Sequence, residues 1–282
     1  MDRIRLIALD MDGTLLDSRH RAIPPENVDA IRRAEAAGIR VCICTGRMIE
    51  DASDFILRFG LGCMVIACNG TRISDGPLPG GHMLLRRQIA PRDARRVIDI
   101  LKPYGLMVNA LEDGRVSTVT REEGQVYHLV RRGVVQGCYG EEAIYAAAER
   151  GVMKFYVTAD GFAGAQDSPR VQAARRALTQ GLPHLQITRS SPGSIEIMPP
   201  DTGKGDALAF VAGRLGLPRE CVMAMGDAQN DLTMLEYAYH SVAMENACDE
   251  VKAICRYRTL SNDECGVAAM IGRVLAARGA SA

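Results

Sequence analysis

The feature that most limits how this chain can fold is a series of short apolar runs, each of strand length and each ending in a polar turn that contains glycine. The first, Ile4 to Leu9, stops at Asp10-Met11-Asp12-Gly13. Ile39 to Cys44 stops at Thr45-Gly46-Arg47, and Met64 to Cys68 stops at Asn69-Gly70. Between the first two, Pro24 and Pro25 open a segment in which Val28, Ile31 and Ala34 recur at helical spacing before Gly38 closes it, and Met48 to Phe59 reads as a second helix. Unbroken apolar runs suit strands buried on both faces, so this β-α-β-α-β order predicts a parallel sheet covered by helices.

The texture changes after about residue 85. A helix (Arg92 to Leu101) leads to the runs Leu106 to Leu111 and Val116 to Thr120, joined at Asp113-Gly114, a dipeptide that favours hairpins. A helix (Glu141 to Arg150), a strand (Val152 to Thr158), a helix (Val171 to Leu178) and the strands Leu185 to Thr188 and Ser194 to Met198 complete this block. From Lys204 the earlier pattern returns: a helix to Leu215, the strand Val222 to Met225, a helix from Asp231, the strand Ser241 to Met244, and a last helix through Ala268 to Ala277. The reading is α/β, with a core domain over residues 1–85 and 197–282 and an inserted α+β domain over residues 86–196.

Composition closes off several function classes. The 34 basic and 34 acidic side chains cancel, which removes the positive footprint that binding a nucleic-acid backbone requires. Asp10 and Asp12 interrupt the first apolar run and no later run approaches the ~18 residues of a membrane span, so neither a signal peptide nor a membrane partner is expected. Nine cysteines, an odd number without metal-like spacing, point to reduced thiols and a cytoplasmic location. The five histidines form no metal-binding spacing and read as structural or surface residues. Monomer and homodimer are both compatible with a neutral chain that lacks heptads.

Four segments can carry chemistry, and each follows a strand or opens a helix. Asp10 and Asp12 stand two apart, a spacing that puts both on one side of an extended chain at the carboxyl edge of the sheet, where parallel α/β sheets bind ligands. Two adjacent carboxylates repel unless a cation lies between them or they divide the work of nucleophile and acid/base. Thr45-Gly46-Arg47 offers a hydroxyl and backbone N–H groups at a helix start, a natural anion site. Gly226-Asp227-Ala228-Gln229-Asn230-Asp231 adds two carboxylates and an amide at another strand end, and Lys204 is one of only four lysines, flanked by glycines. Any one of these could be an ordinary polar turn or helix cap; it is their sequence that matters.

In that order the four segments resemble the motifs of the haloacid dehalogenase superfamily. Asn69-Gly70, Met244 to Ala247 and Thr259 to Ala268 are similar to further signatures of its Cof-type, class IIB sugar-phosphatase branch. The resemblance covers nearly the whole chain. It implies a Rossmann-like catalytic core with a parallel sheet, and an inserted class IIB cap that sets substrate choice. Asp10 would be the nucleophile, and Asp12 the acid/base that protonates the leaving oxygen and then activates water. Asp10, Asp227 and the backbone carbonyl of Asp12 would bind Mg2+; Thr45, Gly46, Lys204 and Asn230 would hold the phosphoryl oxygens; Asp231 would act through water or hydrogen bonds behind the metal.

Two residues depart from the branch pattern: Glu245 stands where glycine is usual and Cys265 where an acid is usual, both outside the four chemical motifs. The implied activity is Mg2+-dependent hydrolysis of a small phosphorylated metabolite through an aspartyl phosphate. A phosphomutase shares the same nucleophile, and a non-catalytic phosphometabolite sensor shares the same fold.

Overall fold

The computed structural model describes residues 1–119, 127–159, 168–189 and 193–279. The chain forms two compact units, Met1–Leu84 with Gly203–Ala282, and Leu85–Thr202. The first unit opens with β1 (Leu6–Asp10), α1 (Pro25–Ala36), β2 (Arg40–Cys44), α2 (Ile49–Arg58), β3 (Met64–Ala67), β4 (Arg72–Ser74) and β5 (Met83–Arg86). The second unit contains α3 (Pro91–Leu101), β6 (Met107–Glu112), β7 (Arg115–Thr118), α4 (Tyr127–Arg131), β8 (Gln136–Tyr139), α5 (Glu141–Arg150), β9 (Lys154–Thr158), α6 (Pro169–Gly181), β10 (Gln186–Thr188) and β11 (Ser194–Met198). The chain returns to the first unit through α7 (Lys204–Arg214), β12 (Val222–Gly226), α8 (Leu232–Tyr237), β13 (His240–Ala243), α9 (Asp249–Ile254), β14 (Tyr257–Arg258) and α10 (Gly266–Gly279).

In the first unit eight strands form one sheet in the order β14-β13-β12-β1-β2-β3-β4-β5. The pairs from β14 to β3 are parallel, and only β3 and β4 are shown to run antiparallel. Every residue of β1, β3, β12 and β13 is buried, which is the physical reason their sequences are apolar runs instead of alternating ones. The chain leaves β1 toward β2 and β3 on one side, and later fills β12, β13 and β14 on the other. Strand order therefore reverses at β1, and the carboxyl ends of β1, β2 and β12 meet at the switch point. Asp10, Thr45 and Asp227 stand at those three ends.

The second unit is an α+β layer pair. Its six-stranded sheet, β10-β11-β9-β6-β7-β8, is antiparallel except for β7 with β8. One sheet face, carrying Val108, Phe155, Val157, Ile195 and Ile197, forms a common core with Val97 of α3, Ala147 of α5 and Ala174 of α6. The hairpin at Asp113-Gly114 is present as β6 and β7, with Gly114 at φ +64°; Thr120 lies outside the described residues.

The elements without a sequence signal, β4, β5, α4, β8, β14 and α9, are short, and the strands among them sit at or next to a sheet edge, where a strand needs no long apolar run. Among the described residues no helix is long and apolar enough to cross a membrane, and the nine cysteines are free thiols.

Ile7 lies fully buried in the central strand, paired with Val41 of β2 on one side and Met223 of β12 on the other. Ile7→Ala is expected to cost about 2–5 kcal/mol by lost transfer energy and the cavity left behind. Urea unfolding with an unchanged slope and a lower midpoint checks this; a loss below about 1 kcal/mol would mean the strand is less constrained than its burial implies.

Candidate active site

Immediately after β1 the chain makes one wide turn, closed by Leu16 N–H donating to the Met11 carbonyl at 2.9 Å. Gly13 adopts φ +86°, and the Asp227 carboxylate occupies the space where a Cβ at this position would lie. Glycine is therefore required twice over, for its dihedral and for its lack of a side chain. Thr14, in the same turn, donates its hydroxyl to Asp227 Oδ1 at 2.9 Å.

The deepest element is Lys204, fully buried as the first residue of α7. A cation at a helix N-terminus opposes the helix dipole, so it needs compensation. Two buried carboxylates provide it: Lys204 Nζ donates to Asp10 Oδ1 and, at 2.6 Å, to Asp231 Oδ1. The other oxygen of Asp231 accepts from the backbone N–H of Asp227 and of Ala228, each at 3.0 Å. Asp231 is thus held on both oxygens and fixes both the lysine and the β12 turn. Gly205 lets α7 approach α8 closely: its N–H donates to Thr233 Oγ1 at 3.1 Å, and a Cβ there would meet the Thr233 backbone.

Asp12 is held by different cations. Arg47 grips it with both arms of the guanidinium, Nε to Oδ2 at 2.8 Å and Nη2 to Oδ1 at 2.6 Å, while Nη1 reaches Asp51 at 3.2 Å. His20 Nδ1 lies 2.9 Å from Asp12 Oδ1. Partial burial alone would raise the Asp12 pKa, but the bonds from Arg47 and His20 prevail and hold it well below the usual carboxylate range. An ionised carboxylate only accepts, so His20 Nδ1 carries the proton of that bond.

Thr45 is fully buried after β2, its hydroxyl accepting from Arg47 N–H at 3.1 Å and its carbonyl from Asn69 N–H at 3.0 Å. Gly46 follows it, half-buried. Asn230 lies half-buried in the short turn Gln229–Asp231, beside Asp231. The structure thus ties Asp10, Asp227, Asp231 and Lys204 into one bonded cluster and gives Asp12 its own partners; Thr45, Gly46 and Asn230 stand at the neighbouring strand ends.

Sequence reasoning missed several participants. Arg47 lies in Thr45-Gly46-Arg47, where the sequence alone gives it no role, and the histidine spacing predicts a structural or surface His20. Four further side chains bond to the backbone of the turn after β1. Asn246 donates to Gly13 O at 2.8 Å, Asn27 to Leu15 O at 3.3 Å and Asn262 to Leu16 O at 2.8 Å, while Asp263 accepts from Ser18 N–H at 2.8 Å. Asn246, Asn262 and Asp263 fall inside the two stretches, Met244 to Ala247 and Thr259 to Ala268, that resemble signatures of the branch. The signal available there was position without chemistry.

The cluster is short of positive charge. Asp10, Asp227 and Asp231 each present an oxygen within 4.8 Å of the others, against one ammonium. Burial first, then the charge of Asp231, pushes the Asp10 pKa up, and the same causes bring Asp227 to about 7 in spite of its bond from Thr14. Lys204, which burial would neutralise, is kept charged by Asp10 and Asp231. Asp10 Oδ2 is buried without a hydrogen-bond partner. Oxygen donors, surplus negative charge and an unpartnered buried oxygen fit a hard divalent cation.

Comparison with known proteins adds to this geometry. The profile of haloacid dehalogenase-like hydrolases matches residues 7–271. Two Bacillus subtilis proteins, the 5-amino-6-(5-phospho-D-ribitylamino)uracil phosphatases YwtE and YcsE, are 31% and 33% identical to the chain. The alignments cover 96% and 95% of this chain, and 98% and 94% of theirs. A solved haloacid dehalogenase-like hydrolase from B. subtilis superposes with a TM-score of 0.83 at 26% identity, covering 96% of this chain and 100% of that one.

The charge deficit has a measurable sign. Between the ordinary carboxylate value of 3.8 and about 7, Asp227 holds a proton in the folded state only, so stability falls as pH rises across that window. Asp12 works oppositely, but its contribution is lost only in strong acid, outside the window. Asp10, raised by the same causes as Asp227, acts in the same direction as that residue. In chelator, the melting temperature is expected to fall by several degrees from about pH 5 to about pH 8, Asp227→Asn to lessen that slope, and added Mg2+ to stabilise more at the higher pH. A melting temperature of the chelated wild type that rises over this interval contradicts the assignment.

Proposed function

The chain belongs to the haloacid dehalogenase-like hydrolase family and is a phosphoric monoester hydrolase, and on that premise we propose that it hydrolyses a small sugar or sugar-alcohol phosphate, with Mg2+, through an aspartyl phosphate on Asp10. The observation that carries this reading is the Lys204 ammonium fixed between Asp10 and Asp231, which leaves Asp10 Oδ2 buried and without a partner. A carboxylate so placed is oriented and screened from water, with positive charge beside it to face the negative charge of a transferring phosphoryl group.

Mg2+ would be held by Asp10, Asp227 and the backbone carbonyl of Asp12, and when bound it supplies charge that offsets the repulsion between the carboxylates and an incoming phosphate. Asp10 attacks phosphorus; the new P–O bond to Asp10 forms as the bond to the substrate oxygen breaks. That oxygen leaves with a proton from Asp12. In the second step Asp12, now ionised, takes a proton from water as the water oxygen bonds to phosphorus, and the bond to Asp10 breaks to release inorganic phosphate.

The Arg47 grip favours the ionised form of Asp12 and so prepares this second step; for the first, a protonated Asp12 must give up at least one of the two guanidinium bonds. Thr45, Gly46, Lys204 and Asn230 hold the phosphoryl oxygens, and the unit Leu85–Thr202 selects the rest of the substrate. The two relatives named for a phosphorylated ribityl compound support a phosphorylated polyhydroxy chain as the substrate class.

Phosphate release is to be measured over sugar phosphates, nucleotides, cofactor phosphates and 5-amino-6-(5-phospho-D-ribitylamino)uracil. Turnover is expected with Mg2+, a loss of at least about 100-fold in chelator or in Asp10→Asn, and inhibition by Ca2+, whose larger coordination shell can engage both Asp10 oxygens. Undiminished activity in chelator contradicts the metal assignment. Migration of the phosphoryl group within the substrate, without free phosphate, would make the protein a mutase.

A further inference from the structure

His20 stands where no sequence motif put a functional residue, and its backbone is unusual. Among the described residues it is one of five non-glycine positions with positive φ, at +53°. Histidine, like asparagine and aspartate, tolerates this region better than most residues, but the conformation persists only where the surroundings over-determine it. Here they do. Asp17 organises a tight loop: its carbonyl accepts from His20 N–H at 2.9 Å, its N–H donates to Ala22 O at 3.0 Å, and its Oδ1 accepts from the N–H groups of Arg21 at 2.8 Å and Ala22 at 3.3 Å. The Ser18 N–H bond to Asp263 anchors the loop from outside. The outcome of this construction is that the imidazole, half exposed, meets Asp12 Oδ1.

A surface His–Asp pair needs no such loop. The contact is also placed to outlast a change in the protonation of Asp12. When a proton sits on Oδ2 of Asp12, the Nε bond from Arg47 is lost and its guanidinium keeps only the Nη2 bond to Oδ1; His20 contacts that same Oδ1, so with His20 the carboxyl group is still held from two directions. We infer that His20 is a positioning residue for Asp12, holding its carboxyl group in place through both proton transfers by way of the Asp17 loop. This rests on the phosphatase reading and adds to it a residue outside the four motifs.

The test uses substrates that differ in their need for Asp12. Release of 4-nitrophenolate from 4-nitrophenyl phosphate in a single turnover, with enzyme in excess, requires no leaving-group protonation; hydrolysis of the phosphoenzyme and cleavage of a sugar phosphate both require Asp12. His20→Gly keeps the backbone conformation and removes the ring, while His20→Asn keeps the conformation and places an amide N–H near the position of Nδ1. In His20→Gly, kcat for a sugar phosphate and steady-state turnover of the aryl ester are expected to fall about tenfold with KM little changed. The single-turnover aryl step falls much less, and His20→Asn recovers most of the loss. Asp17→Ala, which does not touch Asp12, gives the same signature, and its effect largely disappears in the His20→Gly background.

Equal losses in the single-turnover and steady-state rates, wild-type rates throughout, failure of His20→Asn to recover, or full additivity of Asp17→Ala with His20→Gly would each overturn the inference while leaving the phosphatase reading intact. A wild-type protein that releases no nitrophenolate and no phosphate from any ester overturns both.

Discussion

The nucleophile and the carboxylates around it depend on one buried ammonium. Lys204 starts a helix, is fully enclosed, and is bonded to carboxylates brought from the ends of β1 and β12. Removing it would leave two buried anions facing each other, a cost of several kcal/mol for an unpaired charge in a dry interior. Because Asp231 is in turn saturated by two backbone N–H groups, the lysine is fixed in place, and through it Asp10 is fixed as well. The charge count remains negative even so. That imbalance, more than any resemblance, is the physical reason to expect a cation here.

The turn after β1 is the second constraint. Its path is not one the residues between Met11 and Leu15 would choose alone, since it needs Gly13 in the left-handed region and a single wide hydrogen-bonded turn. Stability comes from elsewhere in the chain: Asn27, Asn246, Asn262 and Asp263 each take one backbone polar group of residues 13–18. These bonds satisfy groups that would otherwise be lost from the hydrogen-bond inventory on burial. They also explain why segments near residues 246 and 262 matter to a centre whose reacting groups lie elsewhere. The same turn leads into the Asp17 loop, so acid/base geometry and nucleophile geometry are continuous along the chain.

How much of this was legible in the sequence follows from the range of each interaction. The strands carrying Asp10, Thr45 and Asp227 announce themselves because central parallel strands must be apolar along their length, and a carboxylate pair or Gly-Asp at such an end is conspicuous. Lys204 stood out through scarcity and its flanking glycines, but its burial between carboxylates 194 and 27 residues away in sequence could not be read from either neighbour. Arg47 depended on how α2 emerges from β2, and His20 on a left-handed turn, neither of which leaves a periodic trace. The asparagines that hold the turn are single side chains bonding to distant backbone; Asn246 and Asn262 lie in stretches that resemble known signatures, but the bond each makes has no local pattern. Short strands such as β4 and β14 leave no trace for a different reason: two or three residues are too few for alternation to show.

In the proposed reaction phosphorus becomes bonded to Asp10, and Asp12 is needed to release it. Acid quenching of the protein during reaction with a radiolabelled aryl phosphate, followed by peptide mapping, tests this directly. Asp12→Ala is expected to accumulate label on Asp10 to a level approaching one per chain, wild type to show a smaller transient amount, and Asp10→Asn to show none. Label on a residue other than Asp10, or its absence from Asp12→Ala while aryl ester is still being cleaved, would contradict the proposed reaction.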